Sequence, residues 1–254
     1  MHFLKDLLYP RRCLFCEQVL DIRQEGPLCG KCRIDPYLIT GPRYRICSGP
    51  VTEEGDLCRA CFIHNNQVAG RALFSYDRAV REAVHRFKYE DRTGYAEDFA
   101  RLIRRYGPKD IPDPAVLVPV PIHKKRLAER GYNQAELLAL SMQKEGFGRC
   151  LPLLQRVRHT SVQNKLSMQM RRKNIHGAFT VDPQTVLALE RDRSLDAAVL
   201  VVVDDIYTTG STVEEAAETL RRALPGWKVR FFTLTMRLNE PQQQISKEKS
   251  ENSS

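Results

Sequence analysis

Nine consecutive residues, Asp204-Asp205-Ile206-Tyr207-Thr208-Thr209-Gly210-Ser211-Thr212, carry two carboxylates, four aliphatic hydroxyls and one glycine. The apolar run Val201-Val202-Val203 precedes them and reads as a buried strand. The acids therefore stand at its C-terminal end, where open α/β sheets bind ligands. Gly210 permits backbone geometry that other residues resist, so successive N–H groups can face an anion at the start of a helix. The loop suits one phosphate monoester, and the carboxylates suit hydroxyl groups that need acceptors. A sugar phosphate meets both demands. An ordinary N-capped helix accounts for one Ser or Thr, but not for four hydroxyls beside an acidic pair.

Metal chemistry is written at the other end of the chain. Seven of the eight cysteines precede residue 62, and Cys150 stands apart. Cys13-x2-Cys16 and Cys29-x2-Cys32 are two knuckles with twelve residues between them. That spacing fits a tetrahedral zinc ribbon; redox pairs or reduced thiols are the alternatives. Cys58-x2-Cys61 is a third knuckle, whereas Cys47 has no partner at that spacing. Cys47, Cys58 and Cys61 make a second zinc set with His64, since imidazole also ligates zinc; an empty or labile site is the alternative. The formal charge is +9, and residues 123–173 hold twelve Lys/Arg against three acids, an excess equal to the total. This run is either a solvated basic face or a site for pyrophosphate, nucleotide or nucleic acid. Tyr132 and Phe179 lie beside it as stacking faces or as packing. His123, His159 and His176 read as incidental.

The elements that must position these groups follow from periodicity. Residues 71–76, 115–120, 197–203 and 228–236 read as strands, with a weaker one over 151–157. Helical spacing runs through 77–89, 96–106, 133–142 and 211–223. A basic loop separates the strand at 115–120 from the next helix, and a long polar segment covers 158–178. Strands that alternate with helices predict an α/β fold, a parallel sheet with helices on both faces. The 254 residues divide into a Cys-rich module over 1–64, which lacks a core of its own, an α/β domain over 65–238, and a disordered polar tail over 239–254. No apolar run reaches the roughly 18 residues that cross a bilayer. The first nine residues read as a short amphipathic helix rather than a signal peptide, which predicts a cytoplasmic protein.

The loop string resembles the phosphoribosyl pyrophosphate (PRPP) motif of type I phosphoribosyltransferases: an apolar strand, two acids, three residues, then Thr-Gly-Ser-Thr. Val118-Pro119-Val120-Pro121 with Arg126, Arg130, Gly131, Tyr132, Asn133 and Gln134 is similar to the ComF/GntX family within that fold. So are Arg156, Thr160, Gln163, Leu166, Arg171, Arg172, Asn174, Ala178 and Phe179, and the lead-in Leu8-Tyr9-Pro10-Arg11-Arg12-Cys13. The resemblance implies that Asp204 and Asp205 hold the ribose hydroxyls and that Thr208, Thr209, Gly210, Ser211 and Thr212 wrap the 5′-phosphate. It implies pyrophosphate at Arg126, Arg130 and Gly131, with a lid over residues 158–174 bringing Arg171 and Arg172. The family's second ribbon wants a cysteine where this chain has Tyr44. As an enzyme, the protein would displace pyrophosphate from C1 of ribose with Mg²⁺, yet no residue stands out as the acid or base for the acceptor. Two functions are nearly level. One is a transferase using PRPP or a related ribose-5-phosphate ligand. The other is a non-catalytic binder that handles single-stranded DNA, or works with DNA-uptake proteins, in natural competence. A pure zinc-ribbon scaffold leaves the phosphate motif unexplained.

Overall fold

A computed structural model describes residues 10–51, 58–63, 65–109, 111, 115–158, 174–195 and 198–238. The expected N-terminal helix and polar tail, His64, and most of the expected lid, Arg171 and Arg172 included, lie outside the described residues. In chain order the strands are β1 (Gly70–Ser75), β2 (Ala115–Pro119), β3 (Arg149–Cys150), β4 (Leu154–Arg156), β5 (Phe179–Val181), β6 (Val199–Tyr207) and β7 (Val229–Met236). The α-helices are α1 (Arg59–Ile63), α2 (Arg78–Tyr89), α3 (Tyr95–Tyr106), α4 (Lys124–Arg130), α5 (Gln134–Lys144), α6 (Pro183–Arg191) and α7 (Ser211–Ala223).

Five strands form one parallel sheet in the order β1-β7-β6-β2-β3, and β4 pairs antiparallel with β5 beside it. Period-two alternation along β6 divides the core. Leu200 and Val202 face α7 through Val213, Ala216 and Leu220. Val201 and Val203 face the other way, toward Phe87 of α2, Phe99 of α3 and Leu138 of α5. Near-continuous apolar strands are therefore covered on both faces, as the sequence predicts.

The Cys-rich segment draws on both cores. Cys13, Leu14 and Phe15 are buried with the α2–α3–α5 side, while Tyr44, Ile46, Cys47 and Cys61 are buried with the α7 side. The guanidinium of Arg86 donates to the carbonyls of Leu14 and Phe15 at 2.9 and 3.0 Å. Ile39 N–H donates to Leu73 O at 2.9 Å, which covers the free edge of β1.

Four elements depart from expectation. The basic loop after β2 is largely the helix α4, begun by His123, whose Nδ1 accepts from Lys125 N–H at 3.2 Å. Its residues are good helix formers, but it has no buried face and so no hydrophobic period to read. β5 and α6 were not foreseen, although Asp182-Pro183 is a helix start: the Asp182 carboxylate accepts from Thr185 N–H at 3.2 Å. β6 continues to Tyr207, so the acidic pair lies within the strand, with Asp204 opposite Thr233 of β7. Among the described residues, no helix is long and apolar enough to cross a membrane.

Candidate functional site

From β6 the chain passes through α7 to β7 on one side. From β2 it passes through α4 and α5 to β3 on the other. The strand order therefore reverses between β6 and β2, and a cleft of about 890 Å³ opens at their C-terminal ends. Asp204, Asp205, Thr208, Thr209, Ser211 and Thr212 line it, and so do Arg126, Arg130 and Arg156. Gly210 turns the loop at φ +79° and caps α7. Thr209 Oγ1 and Ser211 Oγ are 2.8 Å apart and share a hydrogen bond. Hydroxyls, the start of α7 and three guanidinium groups thus share one space.

Burial decides the electrostatics. The Asp204 carboxyl is pushed up to about 6 by loss of water, against the fields of Lys88 and Arg156, which favour its charge. Lys88, in the last turn of α2, ion-pairs with Asp205 Oδ2. Its ammonium is pulled down to about 8, chiefly by burial, with Arg130 and Arg126 adding repulsion and Asp204 opposing. Burial also lowers Arg126 and Arg156, helped by repulsion from Arg130 on the first and from Arg126 on the second. The cations repel one another in a partly dehydrated space, and a bound polyanion would relieve that repulsion.

Arg130 is held in place. Its Nη1 donates to Gln134 Oε1 and its Nη2 to Tyr89 OH, both at 3.0 Å, with the guanidinium 4.6 Å over the Tyr89 ring. Gly131 N–H closes α4 by donating to Leu127 O at 2.8 Å, so that group faces the helix rather than a ligand. Lys88, Tyr89 and Arg237 also line the cleft, and sequence reasoning gave none of them a site role, whereas Arg156 falls in the basic run read as a site for pyrophosphate or nucleic acid. Arg156 stands among the family marks, but no spacing links Lys88 to an acid 117 residues later. Only the apolar Phe87 beside it hinted that the end of α2 is buried. Tyr132 and Phe179 serve packing: Tyr132 OH donates to Phe87 O at 2.6 Å, and Phe179 is buried under the Arg156 guanidinium. Tyr89 is instead the exposed aromatic at the cleft.

The cysteines gather as their spacing predicts. The thiols of Cys13, Cys16, Cys29 and Cys32 lie within 4.8 Å of one another, and so do those of Cys47, Cys58 and Cys61. Cys16 and Cys29 Sγ are 3.6 Å apart, as are Cys47 and Cys58. A tetrahedron with Zn–S of about 2.3 Å has edges of about 3.8 Å, whereas a disulfide needs about 2.05 Å. Backbone N–H groups point at the sulfurs as they do for thiolates: Cys29 N to Cys13 Sγ at 3.3 Å, Gly49 N to Cys47 Sγ at 3.4 Å and Cys61 N to Cys58 Sγ at 3.3 Å. The donor sets fit zinc, four thiols in the first and three in the second. Both ribbons open with the same knuckle. Glu17 N–H donates to Cys13 O at 2.9 Å and Ser48 N–H to Tyr44 O at 3.0 Å. Glu17 and Ser48 sit at φ +59° and +61°. Tyr44 thus occupies the place of a cysteine with the knuckle intact.

Comparison with known proteins supports the ribbon module and finds relatives along most of the chain. The family model of a double zinc ribbon domain matches residues 4–62. The chain is 25% identical over 240 residues to Competence protein ComFC of Bacillus subtilis (strain 168), covering 87% of this chain and 93% of that protein. It is 29% identical over 229 residues to DNA utilization protein YhgH of Salmonella typhimurium, covering 77% and 91%. It is 27% identical over 220 residues to Competence protein F of Haemophilus influenzae, covering 83% and 91%.

Proposed function

We propose that this chain, which belongs to the ComF family of competence and DNA-utilization proteins, binds PRPP or a related ribose 5-phosphate ligand in the cleft between β6 and β2. The observation that carries this reading is the meeting of two chemistries in one cleft. The acid pair and hydroxyl loop line it together with Arg126, Arg130 and Arg156, and Arg156 is near enough to Asp204 for each to bear on the other's ionisation. Asp204 and Asp205 accept from the ribose 2′- and 3′-hydroxyls, charge-assisted bonds that a carboxylate makes well. Thr208, Thr209, Ser211 and Thr212 donate hydroxyl and backbone hydrogens to the 5′-phosphate. Arg126 and Arg130 meet pyrophosphate, Arg130 with its orientation set by Gln134 and Tyr89.

Among the described residues, only the two cysteine sets bring three or more metal-ligating side chains together. One cleft carboxylate is already engaged by Lys88. Mg²⁺ would therefore enter on the ligand's own oxygens, where it would neutralise part of the pyrophosphate charge. In transfer, the C1–O bond breaks with its electron pair leaving on pyrophosphate, and the acceptor supplies the pair for the new bond at C1. The cleft cations stabilise the departing charge.

A second reading, a DNA-handling protein whose cleft binds without turnover, draws on Tyr89. That ring is 60% exposed at the cleft between Arg130 and His85, and α4, which carries Arg130, also bears the exposed Lys124 and Lys125. Equilibrium dialysis with labelled PRPP separates the readings. Ribose 5-phosphate and pyrophosphate should each compete for the site, and pyrophosphate release with an acceptor would mark transfer. Single-stranded oligonucleotide that displaces PRPP without release would mark the second reading. Failure of all three to compete would end both assignments of this cleft.

A further inference from the structure

One layer of side chains separates the second cysteine centre from the phosphate loop. After Cys58 and α1 the chain reaches Asn66, whose N–H donates to Cys61 O at 3.0 Å. The buried Asn66 side chain donates from Nδ2 to Tyr207 OH at 2.9 Å and to Thr209 O at 3.0 Å, with Cys61 Sγ 3.9 Å away. Its Oδ1 has no partner among the described residues, so those donor bonds hold the amide in place. Tyr207 OH lies 4.0 Å from Cys61 Sγ, and the Tyr207 ring stacks on Phe231 at 4.9 Å.

The loop rests on this layer without clearance. A Cβ on Gly210 would lie 2.5 Å from Tyr207 OH and 2.6 Å from Asn66 Nδ2. The same connector grips the helix behind the loop: Gln67 and Val68 N–H donate to Glu214 Oε1, in the first turn of α7, at 2.8 and 2.9 Å. A cradle of backbone N–H groups binds an anion well only if its vectors are fixed beforehand. Metal at Cys47, Cys58 and Cys61 fixes Cys61, and Cys61 O and Sγ bracket Asn66. Without metal the three thiols have no reason to converge, and the anchor of Asn66 loosens with them.

We propose that Asn66 and Tyr207 are positioning residues that tie the phosphate loop to the Cys47–Cys58–Cys61 centre, so that sugar phosphate binds tightly only when that centre holds metal. The idea rests on the sugar-phosphate reading for its ligand, but not for its structural coupling. Reciprocity gives it a signature that a merely structural role lacks: if metal raises ligand affinity by some factor, ligand raises metal affinity by the same factor.

The test uses the full-length, zinc-loaded protein, Asn66→Ala, and Tyr207→Phe, which keeps the stack on Phe231. Ribose 5-phosphate is the probe, and hydrogen exchange of the amides in residues 207–211 reports on the loop. Exchange within α2 serves as the control for folding. Each variant should keep two zinc equivalents, exchange faster in the loop but not in α2, and bind the probe about five- to thirtyfold more weakly, the worth of one or two neutral hydrogen bonds. In the wild type the probe should hold back the more labile zinc from a chelator, and in Asn66→Ala it should not. One zinc equivalent per wild-type chain, or variants that match wild type in loop exchange and affinity, would overturn the proposal. If the wild type binds no probe, the sugar-phosphate reading fails, and loop exchange before and after zinc removal decides the coupling alone: faster exchange supports it, unchanged exchange ends it.

Discussion

Replacing Asp204 by Asn should make the unliganded protein more stable at pH 8 while weakening its binding of sugar phosphate. The carboxyl is pushed from 3.8 to about 6 by burial, so the folded state holds its proton more tightly than the unfolded state does. Its contribution to stability is therefore fully present below pH about 4 and is lost as the pH rises through about 6. At pH 8 the whole cost of keeping the charge is present, about 3 kcal/mol from a displacement of about two pH units. Asn keeps the shape without the charge. Part of the gain is offset because Asp204 supports the charge of Lys88, so we expect about 1–3 kcal/mol. Urea unfolding at saturating zinc, at pH 8 and near pH 4, measures it. The advantage should be present at the higher pH and vanish at the lower. Affinity should move the other way: one charged hydrogen bond is worth about 1.5–3 kcal/mol, at least tenfold in dissociation constant. Wild-type affinity should also rise through pH 6 and fall above pH 8 as Lys88 loses its proton. The ligand's own phosphate titrates near pH 6 as well, so the difference between wild type and Asp204→Asn isolates the carboxyl. Equal or lower stability of the variant at pH 8, or a gain indifferent to pH, would refute this account of the site's strain.

Other perturbations test the remaining parts. Gly210→Ala places a Cβ against Tyr207 OH and Asn66 Nδ2 at a backbone angle of +79°; it should cost about 1–3 kcal/mol in denaturant unfolding and weaken phosphate binding. Cys13→Ser should remove one zinc by metal analysis and make residues 10–40 sensitive to protease, since Leu14 and Phe15 are buried beside the first thiol set. If single-stranded DNA uses the exposed Lys124 and Lys125, replacing both with Ala should flatten the log–log salt slope of binding by about 1.4, at about 0.7 per phosphate. An unchanged slope would move the DNA surface elsewhere.

The phosphate loop was legible because strand, acids, glycine and helix are contiguous, and local chemistry fixes their mutual geometry. The central strands and α7 were legible because their apolar periods are strong. α4 was not, because a solvated helix carries no hydrophobic period. α6 announced itself only through Asp182-Pro183. Lys88, Asn66 and Tyr207 escaped notice for a different reason. Each acts through a partner far away in sequence, on a side of the cleft or loop that only the packing of α2 and the second ribbon creates. Tyr44 shows the converse: a missing cysteine reads as decay in the sequence, yet the knuckle around it keeps the hydrogen bonds of the first ribbon.

Calorimetric titration of PRPP with Mg²⁺ into the wild type and into the Asp204→Asn, Asp205→Asn double variant addresses the central claim most directly. The account predicts one site per chain in the wild type and at least a tenfold loss in the double variant, with zinc content and unfolding cooperativity retained. Equal affinity in the two proteins, or no heat in the wild type at any pH between 6 and 8, would contradict it.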